Sequence, residues 1–384
     1  MTSIALKMLM GDRARFFGIV TGLTFAALLI TQQLAIFLGF MQRAYSLLTD
    51  APQVDVWVMH PELEFSEDLK RMPDSVLDAV RGVAGVEWAM PFHKGMHTAT
   101  IENSRMAPVT VHGIDDATLV GGPPEMLEGS LEAIRQADAV VVDVEAARGQ
   151  LAKRAPDGGV VPLAVGDELE INERRAVVAG ICRISKPFFW NPVVYMPWSR
   201  VGRYQPATTR LLNFAMVRLA PGADPAAVSA EIARRTGMAA RTTEQFRRLM
   251  IRFVFERTGI AVNFGIAVVL GFLVGCAIAG QTFHNFTIDN LRHFAALKAM
   301  GTPNRRLLSM IVLQALTVGA IGWGLGVGLA SLFGAATKGT ELAFWFPWQL
   351  LLVSIGGVVL ICVFSAFLSL RRVAAVDPAV VFRS

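Results

Sequence analysis

The stretch "DNLRHFAALKAMGTPNRR" (289–306) lies between two apolar runs, Gly259 to Phe283 and Leu307 to Phe333. It reads as helix, stop, helix. Asp289 suits a helix start, Lys298 falls in the last turn where a cation complements the dipole, and Gly301 suits the left-handed position beyond the end. Thr302 and Pro303 then restart the chain as N-cap and first helical residue. Leu291, Phe294, Leu297 and Met300 recur every three residues, which drifts around an α-helix and gives no clean apolar stripe. On charge and periodicity alone, the segment also fits a helix lying in the lipid interface.

The flanking runs are each long enough to span a hydrocarbon core of about 30 Å, which takes roughly 20 apolar residues. Two more runs qualify, Phe16 to Phe40 and Trp348 to Leu370. The first extends past the apolar core of a signal peptide, carries Gln32 and Gln33, and lacks a small-residue cleavage site, so it reads as a retained anchor. The 384-residue chain is 53% hydrophobic and only 17% charged, against about 25% charged in ordinary soluble domains.

Orientation follows from the basic residues at the span ends. Lys7, Arg13 and Arg15 precede span one; Arg292, Lys298, Arg305 and Arg306 lie between spans two and three; Arg371, Arg372 and Arg383 follow span four. By the positive-inside rule these segments face the cytoplasm, as do both termini. Phe344, Trp345, Phe346 and Trp348 form an aromatic belt at the opposite interface. The expected division is a cytoplasmic segment 1–15, spans at 16–40, 258–283, 307–333 and 348–370, an external domain at 41–257, a cytoplasmic loop at 284–306, a short external loop at 334–347 and a cytoplasmic tail at 371–384. The net charge of +5 is explained by this topology rather than by nucleic acid, because no basic stripe is interleaved with aromatics.

The region 41–257 reads as mixed α+β. Short runs rich in Val, Ile and aromatics at 54–59, 86–91, 109–114, 139–142, 169–171, 176–181, 193–196 and 212–219 read as strands. Helical spacing appears at 74–83, 145–151 and 225–236, the last opened by Asp224 and Pro225 and stopped by Gly237. Thr242 and Gln245 form a capping-box pattern, and Phe246, Leu249, Met250 and Phe253 then recur at helical spacing. This predicts a stalk helix over 243–257 that continues into span two as a rigid lever.

"FAALKAMGTPNRRLLSMIVLQAL" resembles a segment of the FtsX/MacB-type ABC transporter permeases, the type VII ABC superfamily, and is closest to its DevC-like branch. Supporting stretches are "ALKMLMGDRARFFGIVTGLTFAALLI" at the start, "PVVYMPWSRV" and "NFAMVRLAPGADPAAVSAEI" in the middle, and "RRVAAVDPAVVFR" at the end. The resemblance implies a membrane α-helical protein of four transmembrane helices with an extracytoplasmic α+β domain inserted between helices 1 and 2. It implies that Leu291, Phe294, Leu297, Lys298, Met300 and Gly301 form a coupling helix docking into a cytoplasmic ABC ATPase, two copies of which serve a permease homodimer. It further implies a bacterial inner-membrane location, a periplasmic membrane-fusion adaptor, an outer-membrane tunnel protein and a hydrophobic or amphipathic cargo exported by mechanotransmission. A signal transmitter that activates a periplasmic partner without transport fits the same resemblance. Gln314 stands where family members often carry Glu.

No G-x-x-x-x-G-K-[ST] occurs, so the chain is expected to bind no nucleotide, with ATP and Mg held by the partner ATPase. No catalytic, cofactor or metal residue is expected. His93 and His97 lie in extended sequence, where spacing of four is read as leaving them on different faces. Cys182, Cys276 and Cys362 form neither a disulfide framework nor a metal motif. Gly319, Gly322, Gly324, Gly326 and Gly328 predict a helix-packing or dimer face in span three. The amides Gln32, Gln33, Asn263 and Gln314 are expected to bond between helices, with no charged solute path.

Overall fold

The computed structural model describes residues 13–68, 70–101, 105–156, 158–189, 191–204 and 211–374. The basic residues Lys7 and Arg383 and most of the closing "RRVAAVDPAVVFR" lie outside them. The described chain opens with α1 (Arg13–Ala44) and α2 (Ser46–Asp50), then β1 (Val56–Met59), β2 (Met72–Pro73), α3 (Ser75–Arg81), β3 (Val86–Ile101), β4 (Arg105–Ile114) and β5 (Glu125–Gly129). After a 3-10 turn follow β6 (Ala139–Asp143), α4 (Val144–Arg148), β7 (Lys153–Arg154), β8 (Val160–Val161), β9 (Glu168–Ile171), β10 (Arg174–Arg183) and β11 (Val193–Pro197). Next are α5 (Trp198–Tyr204), β12 (Leu211–Leu212), β13 (Phe214–Leu219), α6 (Pro225–Thr236), β14 (Ala239–Thr242) and α7 (Thr243–Arg257). The chain then runs through α8 (Ile260–Asp289), α9 (Leu291–Ala299), α10 (Asn304–Ala336) and α11 (Trp348–Ala374). These elements form two units, Met1–Phe40 with Thr258–Ser384, and Met41–Arg257.

In the first unit four helices are long and apolar enough to cross a membrane: Phe16–Ala44, Ile260–Asp289, Arg305–Ala336 and Trp348–Phe367. Each overlaps an expected span. Backbone polar groups have no water to bond within lipid, so an apolar run there can only be helix. Ile19, Leu23 and Ile30 of α1, Phe283 of α8, Ile311 and Val318 of α10, and Ile361 of α11 share one buried cluster. Between α10 and α11 the indole Nε1 of Trp323 donates to Oγ of Ser354 at 2.9 Å.

The glycine run of α10 divides by face. A Cβ at Gly319 would stand 2.6 Å from Sγ of Cys362, at Gly322 2.8 Å from Cβ of Leu23, and at Gly326 2.6 Å from Cβ of Ala27. These three carry the close approach of α10 to α11 and α1. Gly324 and Gly328 meet nothing within 4 Å. The five glycines therefore divide between two sides of α10, since residues two apart sit about 200° apart around a helix.

The second unit has two lobes joined by one strand. In the first, the sheet order is β14-β1-β13-β3, each neighbour antiparallel, with α3 following β1 and α6 following β13. That is the split β-α-β arrangement of ferredoxin-like folds, with the second lobe inserted between β3 and β13. One face of this sheet buries Val56, Val58, Ala215 and Val217 against Leu77 and Val80 of α3 and Val228 and Ile232 of α6. On the other face Trp57 packs against Phe214 at 5.8 Å and Phe246 of α7 at 5.9 Å between ring centroids.

The second lobe runs β3-β4-β11-β6-β10, and β9 pairs with both β10 and β3, closing the sheet on itself. Closure removes the exposed edges that an open sheet would present. Its interior is packed with small β-branched and aliphatic residues, among them Val109, Val111, Val140, Val142, Ile171 and Val194.

Several local expectations are met to the residue. Asp224 accepts from the amides of Ala226 at 3.1 Å and Ala227 at 3.3 Å, and Gly237 closes α6 at φ 69. Thr242 and Gln245 exchange both capping-box bonds, at 3.2 and 3.0 Å. The continuous lever is corrected. α7 ends at Arg257 and α8 begins at Ile260, separated by Gly259 at φ 66. Arg257 in a last turn followed by a glycine two positions on is itself a helix stop. The run read as ending at 91 is also corrected, because β3 continues to Ile101.

Candidate functional site

The segment 289–306 folds as a short helix between two long ones, but its ends shift by one residue. Asp289 closes α8 rather than opening α9. Asn290 makes no side-chain cap and instead donates through Nδ2 to the Phe286 carbonyl at 2.9 Å. At the far end Pro303, extended at ψ 149, takes the N-cap position assigned to Thr302, and α10 begins at Asn304.

The C-terminus of α9 is a complete Schellman motif. Gly301 N–H donates to the Lys298 carbonyl at 3.0 Å and Thr302 N–H to the Leu297 carbonyl at 3.1 Å. Gly301 takes φ 88, a conformation that L side chains rarely adopt. Lys298 stands in the last turn, as the dipole favours.

Of the six residues in the implied coupling set, Met300 is 73% exposed and Gly301 is exposed. Lys298 is half-buried. Leu297 is half-buried too, packed against the cluster shared by the four long helices. The side chains of Leu291 and Phe294 lie outside the described residues. Ala295 is buried and His293 exposed, so α9 offers His293 and Met300 on its open side. Of the stalk residues, Phe246, Leu249 and Met250 are buried within the second unit and Phe253 is partly so.

The second unit also contains a buried polar cluster that the sequence did not reveal. Nζ of Lys94 on β3 lies 2.5 Å from Oε1 of Glu67, with side-chain exposures of 4% and 16%. Asp50 accepts from the Ser185 amide at 3.0 and 3.2 Å, and burial raises its pKa. His112 lies beside Lys94 across the β3–β4 ladder. Its two ring nitrogens are buried without a partner among the described residues. Burial, with the nearby Lys94 and His93, pushes its pKa well below the usual value and keeps the ring neutral. These groups line a cavity of ≈ 20 Å³, about the size that holds one water and too small for any organic cargo.

His93 and His97 do share a face, which corrects the reading of their spacing: both lie on β3, where residues i and i+4 point the same way. Their rings are 6.3 Å apart. His112 pairs with Lys94, on the opposite face. Among the described residues no group of three or more His, Cys, Asp or Glu could hold a metal ion. Burial pushes the Cys182 thiol far up, which leaves it unreactive.

Four apolar helices with an α+β domain inserted after the first define an integral membrane protein with a large folded head. Residues 16–235 match the family model for the MacB-like periplasmic core domain, and residues 265–378 match that for the FtsX-like permease C-terminal. An uncharacterized ABC transporter permease of Mycobacterium tuberculosis is 29% identical over 236 residues, covering 57% of this chain and 58% of that protein. Another, from Mycobacterium bovis, is 32% identical over 121 residues, 30% of this chain and 33% of that protein. The matches thus span 58% and 33% of those relatives' lengths.

The periplasmic region of MacB from Actinobacillus actinomycetemcomitans superposes with a TM-score of 0.38 at 13% identity, covering 55% of this chain and 98% of that structure. The extracellular domain of YknZ, a noncanonic ABC-type transporter from Gram-positive bacteria, gives 0.35 at 12%, covering 49% and 98%. The chain belongs to the MacB/FtsX-type family of ABC transporter permeases, with four membrane helices and an extracytoplasmic α+β domain between the first and second.

Proposed function

We propose that this chain is the membrane subunit of an ATP-driven export complex in the bacterial inner membrane. Its α9 turn engages a cytoplasmic ATPase, two copies of which serve a dimer of this chain. The observation that carries this reading is the Schellman-closed α9, a rigid short helix exposing Met300 and His293 between two long apolar helices. The ATPase holds ATP and Mg and supplies the hydrolysis; this chain binds no cofactor and performs no covalent step. With α9 and both termini on the cytoplasmic side, the second unit works on hydrophobic or amphipathic cargo outside. There it engages a periplasmic adaptor and an outer-membrane tunnel.

Affinity purification of the full chain from native membranes tests the reading. An ATPase should co-purify, its hydrolysis should rise with cargo, and Met300→Asp should abolish both. A cysteine at exposed Glu132 should react with a membrane-impermeant maleimide in intact spheroplasts. Labelling only after lysis, or full biological activity in cells lacking every candidate ATPase, would sink the proposal. Stimulation by a protein partner alone would favour signalling over transport.

A further inference from the structure

The second unit carries an open cleft of ≈ 730 Å³ between the segment following β1 and the exposed side of α7. That volume falls within the roughly 300–1,000 Å³ of sites for drug-sized ligands. Its apolar wall is aromatic. Phe65 and Phe253 stack with centroids 4.7 Å apart and planes 11° from parallel, Leu249 lies beside them, and Phe189 is 53% exposed.

The polar wall carries four carboxylates, Glu62, Glu64, Glu67 and Asp68, and three cations, Lys70, Arg241 and Arg252. Glu62 and Asp68 share Lys70 at 3.1 and 3.9 Å, while Arg257 and Lys94, from beyond the lining, meet Glu64 at 3.0 Å and Glu67 at 2.5 Å, so that with Arg241 and Arg252 five cations stand against the four carboxylates. Two further lining cations, Arg241 and Arg252, have no ion-pair partner among the described residues. Nε of Arg241 is buried with no hydrogen-bond acceptor, and Arg252 is exposed. A buried guanidinium donor left unpaired is costly, and an oxyanion with two or more acceptor oxygens is the group that satisfies it.

We propose that this cleft binds an amphipathic anion, its phosphate or carboxylate head on Arg241 and Arg252 and its tail against Phe253 and Phe189, with buried Phe65 backing the Phe253 ring. This rests on the export reading, in which the second unit handles amphipathic cargo, and narrows that cargo to anionic amphiphiles. Arg241 is fixed by the sheet, since β14 pairs it with Trp57 of β1. Arg252 and Phe253 both line the cleft from α7.

The test uses the full chain in phosphatidylcholine nanodiscs, with empty nanodiscs as the partition control. Calorimetric titration compares dihexanoylphosphatidic acid, dihexanoylphosphatidylcholine and inorganic phosphate. The phosphatidate should bind about tenfold or more tightly than either of the others, and Arg241→Gln with Arg252→Gln should erase that preference. Equal binding of the two lipids, equal binding of free phosphate, or a preference untouched by the double variant overturns the proposal. If the double variant loses the wild-type unfolding transition, Arg252→Gln and Phe253→Ala carry the test singly, and unchanged affinity in both overturns it. The measurement needs neither ATP nor an ATPase. Selective binding by a chain that recruits no ATPase would therefore refute the export reading and leave the cleft assigned.

Discussion

Gly326 of α10 lies so close to Thr24 of α1 that a Cβ placed on it would stand 2.7 Å from the Thr24 carbonyl oxygen and 2.8 Å from the Leu28 amide nitrogen. Both neighbours are backbone atoms, which cannot rotate away. Gly326→Ala should therefore force the two helices apart and cost about 1–3 kcal/mol. Gly324→Ala, two residues earlier and meeting nothing within 4 Å, should not destabilise the chain. Thermal unfolding of the full chain in detergent compares the two, and equal midpoints would contradict the packing described.

Met300 and Gly301 provide the sharpest probe of the role proposed for the α9 turn. Met300 is 73% exposed, so Met300→Asp should leave the fold intact while abolishing cargo-stimulated ATP hydrolysis. Gly301→Asp adds strain of about 1–2 kcal/mol at a left-handed position and should uncouple as well. Leu297→Asp should uncouple and also lower the unfolding temperature, because Leu297 packs on the membrane cluster. Normal export with all three would remove α9 from the coupling path.

Asp143 predicts a pH dependence. Burial raises its carboxyl from 3.8 to about 6, although its side chain accepts from the Ala146 amide as the N-cap of α4. Below about pH 4 the group is protonated in both folded and unfolded chains; above about pH 6 it is ionised in both, and the folded chain bears the desolvation cost. Its contribution to stability thus falls as pH rises from about 4 to 6, by at most about 3 kcal/mol. Asp143→Asn keeps a capping oxygen without the charge and should flatten that part of the profile in chemical denaturation. An unchanged slope would show that Asp143 does not titrate in this range.

The Lys94–Glu67 pair should behave asymmetrically. Lys94→Met leaves a carboxylate at 16% exposure facing an apolar side chain, and should cost about 3–5 kcal/mol. Adding Glu67→Gln should restore much of that loss, since the stranded charge is gone. A double variant no more stable than Lys94→Met would argue that the pair is screened by solvent.

The parts legible in the sequence were those fixed by neighbours along the chain. Lipid permits only helix for an apolar run, so four spans were readable, and the caps at Asp224, Gly237, Thr242 and Gly301 involve partners within six residues. What escaped depends on distant residues. Ala99 pairs with Ile171, and that contact closes the second lobe. Lys94 meets Glu67, and Arg241 joins Phe65 and Phe253 at one cleft. Which side of the glycine run meets α1 depends on where α1 lies, and that the spacing does not contain. The stop at Gly259 was readable from Arg257 and the glycine, yet the apolar pattern on both sides masked it.

β3 pairs through Val86–Phe92 with β13 in one lobe and through His93–Ile101 with β4 in the other. An extended strand of 16 residues is a peptide cord about 50 Å long that hardly stretches. Opening one lobe along this cord would mean breaking ladder bonds in sequence or dragging the other lobe with it. The head of this permease is thus keeled: a push delivered to either end travels along covalent bonds to the other.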